Sequence, residues 1–436
     1  MLRTIDLRGR ALSHADLLDA VPRATAARSE ALTAASAIVD EVAQRGEAAL
    51  REQAARFDGV EGHALRVPAE HLDEALAGLD PTVRAALDEA IRRVRAASAA
   101  QVPPAIVTDL APGARVTQRW QPVRRVGLYV PGGKAVYPSS VVMNVVPAQV
   151  AGVDEIALAS PPQSEFGGRV HPVILAAARL LGVDEVYAMG GAGAIGAFAF
   201  GVDSLGLAPV DVVTGPGNNF VAAAKRAVAG RVGTDAEAGA TEILIVADDS
   251  ADAGLVASDL ISQAEHDEQA AAVLVTTSEA LAEQVIAEVA RQAGVTRHAV
   301  RVAAALAGPQ SAIVLVDDLA QAAAFSNAYA PEHLELHTVD PRPEDYVHAG
   351  AVFVGAYTPV SLGDYLAGSN HVLPTGGQAR YASGLSASTF LRPQQVIEYD
   401  REALATVRDA IVTLAEAEQL PAHGEAVAAR FPSTPA

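Results

Sequence analysis

Two successive series of short apolar runs, separated by longer stretches of helical period, constrain this chain more than any other feature. The first series is Gly127-Leu128-Tyr129-Val130, Ile156 to Ser160, Val186 to Met189 and Val210 to Thr214. The second is Ile243 to Ala247, Ala271 to Thr276, Ala312 to Val316 and Ala351 to Val354. Runs this short and this apolar read as strands buried on both faces, and intervening stretches such as Val170 to Leu181 read as amphipathic helices. Strands alternating with helices imply parallel sheets covered on both sides. The expected fold is therefore α/β, with two Rossmann-like doubly wound units and ligands at the carboxyl ends of the strands. Before the first series, Ser13 to about Gln101 is helical in pattern, with Asp80 as an N-cap ahead of Pro81 at the first helical position. After Leu385 the strand signal ends, and Arg401 to Arg430 reads as a helical tail carrying Glu418 and His423.

Composition narrows the chemistry. The chain has 436 residues, half of them hydrophobic, so a sizeable core is available. Its 32 Lys plus Arg against 52 Asp plus Glu give a formal net charge of -20, which repels phosphate backbones and anionic lipid. Nucleic acid and membrane are thereby poor partners. The first residues contain no apolar run that could act as a signal peptide, and Val186 to Val202 is Gly-rich and marginal in length for a bilayer span, so a cytoplasmic protein is expected. There is no cysteine. Thiolate nucleophiles, iron-sulfur clusters and cysteine-ligated zinc are excluded, so a metal must be held by imidazole, carboxylate or amide oxygen.

Four segments carry residues suited to chemistry. In Tyr329-Ala330-Pro331-Glu332-His333-Leu334-Glu335, adjacent acid and imidazole follow a proline. Neighbours diverge on a strand or within a helix, so Glu332 and His333 address one volume only in a loop or first helical turn, and Pro331 suits a helix start. Such a pair fits a reaction with two proton transfers; the plain alternative is a surface Glu beside a half-buried His. Gln263 and His266 stand three apart near the end of a helical pattern that begins near Ala253, at a spacing that lets an amide oxygen and an imidazole share a face. A polar helix end is the alternative there. The stretch Gly363 to Gly377 has neither helical nor strand period and holds Asp364, Asn370 and His371, which marks a working loop over a connector. Finally, Gly191-Ala192-Gly193-Ala194-Ile195-Gly196 matches G-x-G-x-x-G between a strand and a helix, yet the acid about 20 residues on, Asp211, precedes its strand instead of ending it. Close helix packing is the alternative for that motif, and Val130-Pro131-Gly132-Gly133-Lys134 and Gly215-Pro216-Gly217-Asn218 are equally plausible phosphate loops, each carrying little weight alone.

Taken together, VGLYVPGGKAVYPSSVVMNVVPAQVAGV (126–153), SQAEHDEQA, YAPEHLEL, GDYLAGSNHVLPTGG and EAEQLPAHGEAV (416–427) resemble histidinol dehydrogenase, in that family's order and over nearly the whole chain. The resemblance implies oxidation of L-histidinol through histidinal to L-histidine with two NAD+ and one Zn2+ per site. It implies Gln263, His266, Asp364 and His423 as zinc ligands, His423 coming from the other subunit of a homodimer. It further implies His333 as base for the alcohol step, Glu332 as activator of water for the aldehyde step, His371 holding the reacting oxygen, and Glu418 receiving the imidazole end of the substrate. NAD+ is implied near Tyr129, Pro131, Pro216 and Asn218. Two positions depart from the family pattern: Gly193 replaces the usual Gln of GGAQAI, and Thr241 stands in Gly239-Ala240-Thr241-Glu242 where Ser is usual, keeping a hydroxyl for a substrate contact. The implied division is an N-terminal helical arm (1–25), a larger domain (26–125 plus 242–385) carrying the metal and catalytic loops, an NAD-binding domain (126–241), and a helical tail (386–436) that completes the partner's site. Two other readings compete: a paralogue oxidising another polyol or sulfonated alcohol, and an idle binding protein that retains a metal site.

Overall fold

In a computed structural model, residues 2–23, 28–132, 135–236 and 239–431 are described. The chain divides into two units, one made of 1–101 with 123–390 and the other of 102–122 with 391–436.

The first unit contains two wholly parallel sheets. In the six-stranded sheet the order is Arg3–Asp6, Ala312–Leu315, Ala271–Thr276, Glu242–Ala247, His333–His337, Ala351–Val354. In the five-stranded sheet it is Glu185–Ala188, Glu155–Ser160, Arg125–Tyr129, Val212–Thr214, Gly233–Thr234. Both series of apolar runs appear as strands, and the sheets reverse their winding beside Glu242–Ala247 and Arg125–Tyr129, the first strand of each series, which confirms two doubly wound units. The apolar runs follow from burial on both faces. One face of the six-stranded sheet packs Ile243, Ile245 and Leu274 on Val256, Leu260 and Val285, and the other packs Leu244, Val246 and Leu334 on Phe325 and Tyr329. Glycine at 127 permits close contact in the second sheet, because a Cβ there would lie 2.5 Å from the Phe198 ring. Asp80 caps the Pro81–Ala100 helix as expected, accepting from the Thr82 amide at 2.7 Å.

Three expectations change. The opening is not wholly helical, since Arg3–Asp6 pairs in parallel with Ala312–Leu315 at the sheet edge. It is short and polar, as edge strands are. Pro331 does not begin a helix. It lies between the helix Leu319–Tyr329, which ends at Ala330 in the left-handed region (φ 49), and the strand His333–His337. Strand structure also continues past Leu385. The second unit holds an antiparallel sheet in the order Leu391–Tyr399, Ala114–Pro122, Ile106–Ala111, followed by the helices Arg401–Ala417 and Pro421–Ala428. Its outer strands are mostly exposed and one of them contains Pro393, tolerated at an edge, so neither an apolar run nor clean alternation marks them. No helix among the described residues is long and apolar enough to cross a membrane.

Candidate active site

The switch point of the six-stranded sheet falls between Glu242–Ala247 and His333–His337, which pair in parallel with His333 opposite Ile243. Thr241, Glu242, Glu332 and His333 all lie at the amino ends of these two strands. The site therefore forms at the edge opposite to the carboxyl ends where ligands were expected. The reason is the helix Ala253–Ala264, which runs back against its strand and returns Gln263, and His266 just beyond it, to the amino edge.

Glu332 and His333 do converge. Glu332 occupies the bend before the strand and turns its carboxylate back, so that Oε2 lies 3.5 Å from His333 Nδ1. The same oxygen accepts from the Thr241 hydroxyl at 2.5 Å and the Glu242 amide at 2.9 Å. Thr241 in turn accepts from the Gln263 side-chain amide, so the expected substrate-contacting hydroxyl is already engaged between Gln263 and Glu332. Burial pushes the Glu332 carboxyl up to about 7, against the opposing pull of His333, Thr241 and the Glu242 amide. His333 Nδ1 lies 3.1 Å from the Glu242 carbonyl. A carbonyl only accepts, so Nδ1 carries the proton and Nε2 keeps a free lone pair. Nε2 and the Gln263 Oε1 oxygen are both buried without a hydrogen-bond partner. An imidazole nitrogen and an amide oxygen left bare in one interior are donors suited to a cation and a substrate proton.

Asp364 lies on the short helix Val360–Tyr365 and acts electrostatically on both His266 and His371, as does His333. His371 Nδ1 approaches the Asp364 carbonyl at 2.9 Å, and its Nε2 approaches Ser140 Oγ at 3.0 Å. Gln263, His266, Asp364, Glu332, His333 and His371 thus share one neighbourhood. Glu418 and His423 belong to the second unit, where both are exposed, Glu418 at the end of Arg401–Ala417 and His423 in Pro421–Ala428. Three residues at the site escaped sequence reasoning. Ser140 meets His371, while Glu242 accepts from Arg23 at 2.6 and 2.8 Å, and Arg23 sits 4.0 Å over the Tyr329 ring. These partners are far apart in sequence, and only the proline-free acid at the start of an apolar run, Glu242, gave any signal.

The candidate cofactor loops gather at the carboxyl edge of the other sheet, between the adjacent strands Arg125–Tyr129 and Val212–Thr214. Gly215 takes φ +119, and a Cβ there would lie 2.0 Å from the Tyr129 carbonyl oxygen. Pro131 and Pro216 are half-buried, and Asn218 caps the helix Asn219–Val228, accepting from the Phe220 amide at 3.0 Å. The Gly191 amide that opens the glycine-rich turn donates to the Tyr129 hydroxyl at 3.1 Å. Gly193 is packed under Gln53, whose Oε1 would stand 2.0 Å from an added Cβ. Asp211 binds no ribose-facing position; its carboxylate accepts from the Arg124 and Arg125 amides at 2.9 and 3.0 Å. Gly133 and Lys134 of the third glycine loop lie outside the described residues.

Comparison with known proteins agrees with the geometry. The family profile of histidinol dehydrogenase matches residues 21–431. The histidinol dehydrogenase of Leifsonia xyli subsp. xyli is 64% identical over 432 residues, covering 99% of each chain, and that of Mycolicibacterium smegmatis is 59% identical over 98% of this chain and 97% of its own. The crystal structure of histidinol dehydrogenase from Elizabethkingia anophelis superposes with a TM-score of 0.89 at 32% identity, covering 99% of this chain and 98% of that one.

Proposed function

The chain belongs to the histidinol dehydrogenase family, and from that premise we propose that it oxidises L-histidinol through histidinal to L-histidine, with zinc and NAD+. The observation that carries this reading is the Glu332–His333 corner, with its two proton acceptors in different states beside the bare Gln263 oxygen. The donor set fits zinc: Gln263, His266 and Asp364 supply oxygen and nitrogen without a thiolate, and His423 from a second copy would complete the set in a cytoplasmic homodimer. When bound, the metal would anchor and polarise the substrate, and it has no redox chemistry of its own. NAD+, whose place beside Tyr129, Pro131, Pro216 and Asn218 we also propose, would supply the hydride acceptor, with Gly193 withdrawn from that set because Gln53 covers it.

The residues divide the proton work. With Nδ1 donating to the Glu242 carbonyl, His333 Nε2 takes the hydroxyl proton as hydride leaves the alcohol carbon, an effect typically of about 10²- to 10⁴-fold. Glu332, ionised above about 7, removes a proton from water as it adds to the aldehyde. The resulting hydrate gives up the second hydride and becomes the carboxylic acid. Thr241 holds the Glu332 carboxylate and the Gln263 amide in line, which leaves Gln263 Oε1 for the metal. His371, fixed between Ser140 and the Asp364 backbone, would hold the reacting oxygen, and Glu418 would receive the substrate's imidazole end. In this arrangement residues 126–241 carry the cofactor-binding loops and 242–385 the metal and catalytic residues, while the helices from Ala31 to Leu50 share the core of the 126–241 sheet and 102–122 belongs with 391–436.

Zinc analysis combined with the yield of NADH per histidinol tests the proposal. Two equivalents are expected. A yield of one would reduce the protein to an alcohol dehydrogenase, and no oxidation of histidinol would end the reading.

A further inference from the structure

The strand that begins with His333 carries polar residues at three successive positions of one buried face. His333, Glu335 and His337 alternate with Leu334 and Leu336, which enter the opposite core. Glu335 has no exposure at all. Its Oε2 lies 3.2 Å from His337 Nε2, and its Oε1 accepts from the Val360 amide at 2.8 Å. Asp259 completes the group: one donor atom from each of Asp259, Glu335 and His337 lies within 4.8 Å of the others, which sets the two carboxyl groups face to face.

Each of these contacts reaches an element that carries a candidate site residue. Asp259 lies one turn before Gln263 on the helix Ala253–Ala264, so the two share a face. Val360 is the first residue of the helix that carries Asp364. Glu335 itself is two positions beyond His333, on the same face of its strand. We infer that Glu335, braced by Asp259 and His337, is a positioning residue that holds the Gln263 helix, the His333 strand and the Asp364 helix in mutual register. The inference rests on the proposed function for the roles of those three residues.

The chemistry of the brace is that of a shared proton. Two facing carboxylates repel, so one proton between them turns repulsion into a hydrogen bond. Burial, and then the Glu335 charge, push Asp259 up to about 7, with His337 opposing; these are the charged groups that face it from the strand packed against its helix. An amide at either position reproduces the bond without the proton.

Glu335→Gln should therefore keep kcat within about threefold of wild type, because its oxygen still accepts from Val360 and its nitrogen donates to Asp259. Glu335→Leu keeps the volume and removes all three contacts. Because it leaves the Val360 amide and the Asp259 carboxyl buried without their partner, it should lower the melting temperature, and in the protein that remains folded kcat should fall about 10- to 100-fold with KM for NAD+ unchanged. Val360→Pro removes the amide contact at a position where proline is favoured and keeps an apolar side chain of similar size in the core that Val360 joins, and it covers the case in which the leucine variant fails to fold. It should lower kcat severalfold. Cobalt-substituted protein gives a readout without turnover: the visible Co2+ bands should shift in Glu335→Leu and Val360→Pro and not in Glu335→Gln. Folded Leu and Pro variants with wild-type kcat and bands would overturn the inference. So would a second metal ion per chain that Glu335→Gln loses, since the triad would then be a cation site. A wild-type protein that shows Co2+ bands but leaves histidinol untouched would count against the proposed function alone.

Discussion

Thr241 and Glu332 are joined by a 2.5 Å hydrogen bond that favours the charged form of the acid, so the hydroxyl tunes the pH at which Glu332 becomes a base. Glu332 is held at about 7 by burial. As a base it works only when ionised, so oxidation of histidinal should rise with pH through about 7 and level off above it. Thr241→Val removes a donor to a charged group, an interaction of about 1.5–3 kcal/mol, which moves the rising limb upward by about one to two pH units. Thr241→Ser should restore it. Glu332→Gln should stop the reaction after the first hydride, giving one NADH per histidinol where wild type gives two; two equivalents from this variant would remove Glu332 from the aldehyde step. Glu332, His333 and Gln263 could be picked out in the sequence because each sits in a short polar island within an apolar pattern. What fixes their chemistry was not. The tautomer of His333 depends on the Glu242 carbonyl, and Glu242 depends on Arg23, partners that only the folded sheet brings together.

At the level of elements, the loop after Val212–Thr214 is held by a buried ion pair. Lys225 Nζ lies 2.5 Å from Asp235 Oδ1 and also donates to the Gly215 carbonyl, while Asp235 Oδ2 accepts from the Gly215 amide at 2.8 Å. Both charges thereby clamp the one residue that must adopt φ +119 against Tyr129. Lys225→Met strands a buried acid, which costs about 3–5 kcal/mol. Paired with Asp235→Leu it should recover most of that in denaturant unfolding. The KM for NAD+ should stay raised in both variants while the KM for histidinol holds, since the clamp, not the charge, shapes the loop; a double variant with wild-type KM for NAD+ would refute this. Elements were readable wherever burial on both faces wrote an apolar run, as in Ala271–Thr276 and Ala351–Val354, whose limits match expectation. The strand His333–His337 was hidden by its own polar residues. Polar residues on a buried face imitate a surface pattern, and Pro331, which in isolation suits a helix start, instead separates a left-handed helix end from that strand.

For the whole molecule, the question is where His423 acts. It is exposed in the second unit, on a short helix that packs on the helix Arg401–Ala417. A ligand on such a unit can complete a site in its own chain or in a second copy, and a symmetric dimer makes the second arrangement reciprocal. Mixing two inactive proteins separates these cases. His333→Ala lacks the base but keeps the tail, and His423→Ala keeps the base but lacks the ligand. If His423 acts in trans, the hybrid dimer has one site with both defects and one with neither, because the intact tail of the first chain meets the intact catalytic corner of the second. Random reassociation of equal amounts makes half the dimers hybrid, so activity should return to about a quarter of wild type. Either variant alone should stay inactive after the same unfolding and refolding. If His423 acts within its own chain, every site in the mixture retains one defect, and no activity returns at any mixing ratio.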